Sequence, residues 1–180
     1  GSVYGEGAAA VALEEERARV VPVLEALAEA YPDALLSIDT YKPAVARAAL
    51  AAGAHLVNDI TGLRLTPETA TIAAEAGAPL VVMHSTGTPG AMPHVAPHAD
   101  VTAHVREALE ASVARAEAAG DPQLIVDAGF GFGKTVRDNL RLVRDTDVLV
   151  RALQRPVLVG ISRKSTIGAA LGTAQAPAPV

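Results

Sequence analysis

The 180-residue sequence predicts an α/β fold built on a parallel sheet. Five short apolar stretches recur along the chain, and each is nearly continuous rather than alternating, which is typical of strands covered on both faces. Between them lie alanine-rich segments with helical spacing, and alanine is the strongest helix former. Repeated strand–helix units imply parallel pairing through right-handed crossovers. Periodicity alone does not separate an open sheet from a (β/α)₈ barrel, which typically needs about 250 residues.

The predicted elements alternate along the chain after one leading helix over residues 14–30. The five predicted strands cover residues 35–39, 55–60, 80–84, 124–127 and 157–161. A helix over residues 42–52 ends at Gly53, and the next helix begins at Thr66, expected as its N-cap, with Pro67 at the first helical position.

Two longer helical segments complete the pattern. Asp100 is expected to cap a helix that ends at Gly120, and residues 135–154 form another helix with a break near residues 145–147. We expect Leu140, Val143 and Leu149 to face the core from this last segment.

Composition excludes several classes of protein. The net charge is −5, there are three lysines and no basic run, and aromatic residues make up 3%, all of which disfavours a nucleic-acid partner. The absence of cysteine excludes disulfides and thiolate metal sites. No apolar run is long enough to cross a membrane and no signal peptide is visible, so we expect a cytoplasmic protein with no membrane partner.

Residues 1–180 are predicted to form one domain, with a flexible head over residues 1–7 and a disordered tail over residues 173–180.

Polar residues stand at the ends of the predicted strands. They are Asp39 with Thr40, Asn58 with Asp59, His84, Asp127 and, after the fifth strand, Ser162-Arg-Lys164. The carboxyl ends of parallel strands meet at one edge, where α/β proteins bind ligands, so a shared pocket is favoured over isolated helix caps. Carboxylates and an amide suit a flat heterocycle with N–H and amino groups on one edge, and Lys164 adds a charge for a ring carbonyl or an anion.

The segment from Ala128 to Thr135 resembles a relaxed phosphate-binding loop in which alanine replaces the first glycine. Phe130 and Phe132 occupy a loop that should present bare backbone to phosphate. They are better suited to an aromatic ligand, so a nucleotide site is the less favoured alternative.

Other polar clusters carry weaker signals. His94 and His98 have helical spacing, but Pro97 lies between them and no carboxylate triplet completes a metal site, so we assign no metal ligands and expect a loop of solvated histidines. His84 differs because it ends a strand and can face the pocket. The loop over residues 85–99 either closes over a ligand or is plain surface. The acidic run at residues 14–16 is expected to be a solvated helix face.

Five segments together resemble dihydropteroate synthase, over residues 8 to about 172. They are Ser37-Ile-Asp-Thr-Tyr-Lys42, Ala52-Gly-Ala-His-Leu-Val-Asn-Asp-Ile60, Val81-Val-Met-His84 with Gly87-Thr-Pro89, Asp127-Ala-Gly-Phe-Gly-Phe-Gly-Lys134, and Val159-Gly-Ile-Ser-Arg-Lys-Ser165. The resemblance implies a (β/α)₈ TIM-barrel fold, here a partial barrel of about five parallel strands with outer helices. It also implies condensation of 4-aminobenzoate with 6-hydroxymethyl-7,8-dihydropterin diphosphate in folate biosynthesis, with Mg²⁺ as cofactor and a homodimer as the assembly.

The resemblance also assigns roles to residues. Asp39, Asn58 and Asp127 would contact the pterin edge, and Met83 would pack in the pterin pocket. Phe132 would flank the aminobenzoate. Lys164 would contact the pterin ring and border the aminobenzoate site. Asp39 and Lys164 are the residues expected to act in catalysis.

The sequence departs from the family pattern at several points. Ser2-Val-Tyr-Gly-Glu-Gly7 stands where the family has Ser-Thr-Arg-Pro-Gly, and Asp127-Ala-Gly129 replaces Asp-Pro-Gly. The family's first strand, whose Asn helps to hold Mg²⁺, and its Arg-x-His diphosphate contact have no counterpart. We therefore expect this chain to be weak or inactive alone. The alternatives are a non-catalytic pterin-binding fragment and a pterin-binding methyltransferase domain, and the motifs around Lys134 and Lys164 favour the synthase.

Overall fold

The structure is a computed structural model that describes residues 11–87, 97–162 and 164–173. Within these residues one sheet contains five strands, β1 (Ser37–Asp39), β2 (Leu56–Asp59), β3 (Leu80–Met83), β4 (Leu124–Asp127) and β5 (Val157–Leu158). The helices of the same residues are α1 (Leu13–Ala30), α2 (Pro43–Ala51), α3 (Glu68–Glu75), α4 (Val101–Ala118), α5 (Val136–Arg144), α6 (Thr146–Leu153) and α7 (Ser165–Leu171). The expected head, most of the expected tail, His94 and Arg163 lie outside the described residues.

Strand order decides between the two α/β architectures that periodicity left open. All neighbouring strands pair in parallel, and their order in the sheet is the order of the chain, β1-β2-β3-β4-β5. Right-handed crossovers that always advance in one direction place every helix on the same face. A doubly wound sheet would reverse its order at a switch point instead. The sheet therefore has barrel-type winding, and a partial (β/α)₈ barrel fits it.

The core lies between this sheet and the helices. Its strand residues include Ile38, Val57, Leu80, Val82 and Val126, all of which are buried. The alanine-rich composition explains how closely the helices pack on the sheet, because small side chains allow a close approach. The helical alanines in the core are Ala46, Ala49, Ala70, Ala73 and Ala116.

The opposite face of the sheet is less covered than the sequence predicted. β1 and β2 alternate between buried and more accessible residues, with Ser37 and Asp39 exposed and Leu56 and Asn58 half-buried. The prediction of strands covered on both faces is thus wrong for this part of the sheet. Because both faces of these strands carry apolar residues, the sequence does not show which residues of a strand face the core and which face the other side.

The helix boundaries follow from local chemistry, with one correction. Asp100 caps α4 by accepting a hydrogen bond from the Ala103 amide (3.0 Å), as predicted. The Thr66 side chain does not cap α3, because its hydroxyl donates to the carbonyl of Tyr41 across the fold.

The segment after β4 is divided into α5 and α6 at Asp145, as the predicted break near residues 145–147 requires. The division changes which residues are buried. Leu140 and Val143 are 45% and 40% exposed, so their assignment to the core is wrong, whereas Leu142 and Leu149 are buried. None of the helices among the described residues combines the length and the apolar character needed to cross a bilayer.

Candidate active site

Register places four of the predicted site residues on one face of the sheet. Asp39 pairs with Asn58 across β1 and β2, and Met83 pairs with Asp127 across β3 and β4. Paired residues of parallel strands project to the same side, and side chains two apart along a strand do so as well. Asn58 pairs with Val81, two residues before Met83, which connects the two pairs. The four side chains therefore share the face opposite the helical core, at the carboxyl ends of the strands.

Asp39 and Asn58 form a directly bonded pair on this face. The Asn58 amide Nδ2 donates to Asp39 Oδ1 over 2.6 Å, which fixes the orientation of the amide. The other end of the amide, Asn58 Oδ1, is buried and has no hydrogen-bond partner among the described residues. Leaving a buried acceptor unpaired costs about 1–3 kcal/mol. A ligand that brings an N–H donor would remove this cost.

Asp127 shapes the loop that follows it as well as facing the site. Its Oδ1 accepts a hydrogen bond from the Gly129 amide over 2.7 Å. Burial raises the pKa of the Asp127 carboxyl, while the Gly129 amide and the ammonium groups of Lys164 and Lys134 oppose this effect. Asp127 is therefore a buried carboxyl group that is held by the Gly129 amide, with Lys164 and Lys134 near enough to act on it electrostatically.

Lys164 reaches the site from the residue that precedes α7. Its Nζ donates to the carbonyl of Phe130 and lies 4.7 Å from the centroid of the Phe132 ring, a cation–π distance. Burial lowers the pKa of the Lys164 ammonium, and the charge of Asp127 opposes this effect. Lys164 thus lies together with Asp127 and the half-buried Phe132, although it comes from a separate segment of the chain.

A second lysine, Lys134, supports the loop of residues 128–134 from inside. It is 4% exposed, and its Nζ donates to the carbonyls of Gly129 (2.8 Å) and Phe132 (3.2 Å). Burial lowers the pKa of this ammonium to about 7. Because its donors are directed at the backbone of its own loop, Lys134 is not presented to a phosphate group. The less favoured nucleotide interpretation has no support here.

Three polar residues at the strand ends do not join the site. Asp59 and His84 project to the helical side, one position out of phase with Asn58 and Met83. Asp59 is fully buried and accepts hydrogen bonds from the amides of Thr61 and Leu63, so it shapes a turn. His84 packs edge-on against His104 of α4, with ring centroids 5.2 Å apart. The expectation that His84 faces the pocket is therefore wrong.

Thr40, the third of these residues, is involved in a buried ion pair that the sequence did not indicate. Glu16 of α1 is 2% exposed, accepts from the Thr40 hydroxyl (2.9 Å) and pairs with Lys42 Nζ (2.6 Å). The assignment of residues 14–16 to a solvated face is right for Glu14 and Glu15 and wrong for Glu16. This network connects α1 to the loop that follows Asp39.

Of the two histidines that suggested a metal site, His98 lies within the described residues and has other partners. His98 Nδ1 lies 3.5 Å from Asp138 Oδ2, and the side chain is 18% exposed, so the prediction of solvated histidines is wrong for this residue. The His98 ring also lies 4.6 Å from the His104 ring. In the part of the chain that the structure describes, no group of three His, Cys, Asp or Glu side chains could hold a metal ion.

His84 predicts acid sensitivity of the fold. Burial lowers the pKa of His84 to about 3, with smaller contributions from Lys134, His104, His98 and Arg64. Between pH 6.5 and 3 the unfolded chain binds a proton that the folded chain does not, so stability falls as the pH drops. The loss is about 1.4 kcal/mol per pH unit, or about 2 kcal/mol at pH 5.

Urea unfolding at about pH 7 and about pH 5 tests this expectation against His84→Asn, which cannot take up the proton. The variant should lose about 2 kcal/mol less than the unsubstituted chain over this interval. Equal losses in the two proteins would show that His84 does not cause the acid sensitivity.

The family of the chain follows from its match to known proteins. A sequence model of the family described as pterin binding enzyme matches residues 2–179. The chain belongs to the pterin-binding enzyme family.

Individual members of the pterin-binding family agree with this result. The dihydropteroate synthase of Synechocystis sp. is 42% identical over 164 residues, which cover 90% of this chain and 56% of the relative. Dihydropteroate synthase from Thermus thermophilus in complex with 4-aminobenzoate is 48% identical, with a TM-score of 0.80 over 90% of this chain and 62% of that one. The same enzyme in complex with 6HMPPP is 46% identical, with a TM-score of 0.77 over 89% of this chain and 60% of that one.

The chain thus spans a little over half the length of the curated dihydropteroate synthases of Synechocystis sp. and Escherichia coli. The match includes all five described strands and the loop carrying Phe132. Sequence analysis did not predict that Glu16, Lys134 and Asn139 would be buried supports of this region. Of these three residues, only Lys134 had a local signal in the sequence, because the glycines that precede it indicate an unusual backbone.

Proposed function

We propose that this chain carries the pterin-binding side of a dihydropteroate synthase site. A protein containing it would condense 4-aminobenzoate with 6-hydroxymethyl-7,8-dihydropterin diphosphate to give dihydropteroate and pyrophosphate. The observation that carries the proposal is the buried, unpaired Asn58 Oδ1 beside Asp39. It supports a ligand that brings N–H donors to this face of the sheet.

The side chains of the site complement the edge of a pterin. A pterin presents an amino group and ring N–H donors next to one another, and the site offers Asn58 Oδ1 with the carboxylates of Asp39 and Asp127. One oxygen of Asp127 is used by Gly129, and the other accepts no hydrogen bond among the described residues. Hydrogen bonds to charged groups contribute about 1.5–3 kcal/mol each. Met83, which is buried on the same face, supplies apolar contact for the ring.

The proposed reaction joins two substrates at one carbon. The bond between the pterin methylene carbon and the diphosphate oxygen breaks, and its electron pair leaves with pyrophosphate. The amine nitrogen of 4-aminobenzoate forms the new bond to that carbon and then loses a proton. Asp39 and Asp127 would stabilise the electron-poor pterin, and binding between Phe132 and Lys164 would align the amine.

Magnesium enters this proposal only with the substrate. Mg²⁺ usually binds one or two carboxylates, several waters and substrate phosphates. The described residues form no group of three acidic or histidine ligands, so they do not fit a site built by the protein alone.

Calorimetry with a pterin analogue tests the proposed site directly. We expect binding by the unsubstituted chain and subsequent binding of 4-aminobenzoate to the pterin complex. Failure to bind the pterin contradicts the proposal. Pterin binding without any binding of 4-aminobenzoate favours the methyltransferase alternative, which has no use for the arylamine.

Turnover is a separate question, measured by pyrophosphate release with both substrates and Mg²⁺. We expect weak or no release from this chain alone, because it aligns with only a little over half the length of the Synechocystis synthase. Robust turnover would contradict that expectation and exclude a non-catalytic fragment. The homodimer and the cytoplasmic location remain proposals, and sedimentation of the purified chain tests the first of them.

A further inference from the structure

A buried asparagine connects the two segments that carry Phe132 and Lys164. Asn139 is 1% exposed and lies in the first turn of α5. Its Oδ1 accepts from the Gly131 amide over 2.8 Å, and its Nδ2 donates to Thr166 Oγ1 over 3.0 Å and to the Lys134 carbonyl over 3.4 Å. One side chain therefore holds the loop after β4, the end of that loop and the first turn of α7.

Gly131 lies between this asparagine and Lys164. A Cβ on Gly131 would stand 2.8 Å from Lys164 Cδ, so the lysine stem packs directly on the glycine. The Lys164 ammonium donates to the carbonyl of Phe130, the neighbouring residue. The loop is thus fixed on one side by Lys164 and on the other by Asn139.

The bond to Thr166 closes this arrangement. Thr166 is 4% exposed and lies two residues after Lys164, so a shift of its hydroxyl moves the start of α7 and Lys164 with it. Asn139 keeps both partners at fixed distance because a buried polar group is costly to leave unpaired.

We propose that Asn139 is a positioning residue that, through Gly131 and Thr166, sets the separation of the Phe132 ring from the Lys164 ammonium. It touches neither the proposed substrates nor the reacting atoms. Its consequence for ligand binding rests on the proposed function. Phe132 and Lys164 would border the arylamine, whereas Asp39, Asn58 and Asp127 on three strands would hold the pterin edge. Loss of the connection should therefore weaken arylamine binding more than pterin binding.

The chain contains two phenylalanines, so labelling with 4-fluorophenylalanine gives two ¹⁹F resonances that report on this loop without any ligand. Phe132→Leu identifies the Phe132 signal, because one of the two resonances then disappears. Thr166→Val then removes the acceptor for Asn139 at nearly constant volume. We expect the Phe132 resonance to shift or broaden, and Thr166→Ser to restore it.

Thr69→Val is the matched control. Thr69 is fully buried, and its hydroxyl lies 3.5 Å from the Tyr41 carbonyl, away from this loop. It should leave both resonances unchanged. A folded Thr166→Val protein whose Phe132 signal coincides with that of the unsubstituted chain would overturn the proposal. Should the valine variant fail to fold, Thr166→Ala is measured in its place and judged in the same way.

The ligand measurement separates this proposal from the proposed function. Thr166→Val should weaken 4-aminobenzoate binding to the pterin complex about fivefold or more, as loss of one hydrogen bond predicts, with a smaller change in pterin affinity. Equal affinities in variant and unsubstituted chain would contradict the positioning role. If the unsubstituted chain binds neither ligand, the proposed function fails, and the ¹⁹F spectra still decide whether Asn139 positions the loop.

Discussion

Replacing Asp127 with alanine is expected to abolish measurable pterin binding, with a loss of at least about 100-fold in affinity. The substitution removes a buried charge that would accept hydrogen bonds from the ligand, and such bonds contribute about 1.5–3 kcal/mol each. It also releases the Gly129 amide from its acceptor and leaves Lys164 without the carboxylate that faces it. Two effects therefore add, one on the ligand and one on the loop.

Asp127→Asn separates the two effects. Asparagine can still accept from the Gly129 amide through its Oδ1, so the loop should keep its shape, but the charge and one acceptor position are lost. We expect an intermediate loss of about tenfold, measured by calorimetry with the same pterin analogue.

The control for both variants is Asp147→Asn, which changes an exposed carboxylate that pairs with Arg151 on α6. It alters the net charge equally and should leave pterin affinity unchanged. Unaltered binding in Asp127→Ala would mean that the ligand does not use this face of the sheet, and the site would have to be abandoned.

The residue pattern predicted which strands carry polar ends but not which of two adjacent polar residues faces the site, and only the family resemblance pointed to Asn58. Asn58 and Asp59 are neighbours, and only the phase of the strand decides between them. That phase is hidden when both faces of a strand are apolar, as in β2 and β3. The register with Asp39 and Val81 resolves it, and register is a property of paired strands rather than of one segment.

The buried supports of the site were harder to predict for a related reason. Glu16 stands in a run of three glutamates on a helix, a pattern that ordinarily indicates solvent, and its partners Thr40 and Lys42 lie 24 and 26 residues away. Asn139 and Thr166 are separated by 27 residues. Residue type and spacing describe local chemistry, whereas these contacts form only when the strands bring distant segments together.

Glycine at position 129 gives the largest expected effect on stability. Gly129 has φ +68°, and a Cβ there would stand 1.8 Å from the His84 carbonyl oxygen, which is backbone of the neighbouring strand end. Its amide also donates a hydrogen bond to Asp127 Oδ1, and its carbonyl accepts one from Lys134 Nζ. Neither partner can yield without moving the strand end, so Gly129→Ala combines a left-handed backbone, which costs about 1–2 kcal/mol, with overpacking, which costs about 1–3 kcal/mol more.

Gly77 provides the comparison that isolates the clash. Its φ is +64°, nearly the same as that of Gly129, but a Cβ there meets no atom within 4 Å. In urea unfolding, the free energy of unfolding of Gly77→Ala should therefore fall only by the backbone cost of about 1–2 kcal/mol. Its pterin affinity should not change. Gly129→Ala should lose clearly more stability, and pterin affinity with it, because any relief of the clash displaces the loop anchored to Asp127. If the two variants were equally destabilised, the close approach of residues 84 and 129 would not exist in solution, and the packing of the loop against the end of β3 would be wrong.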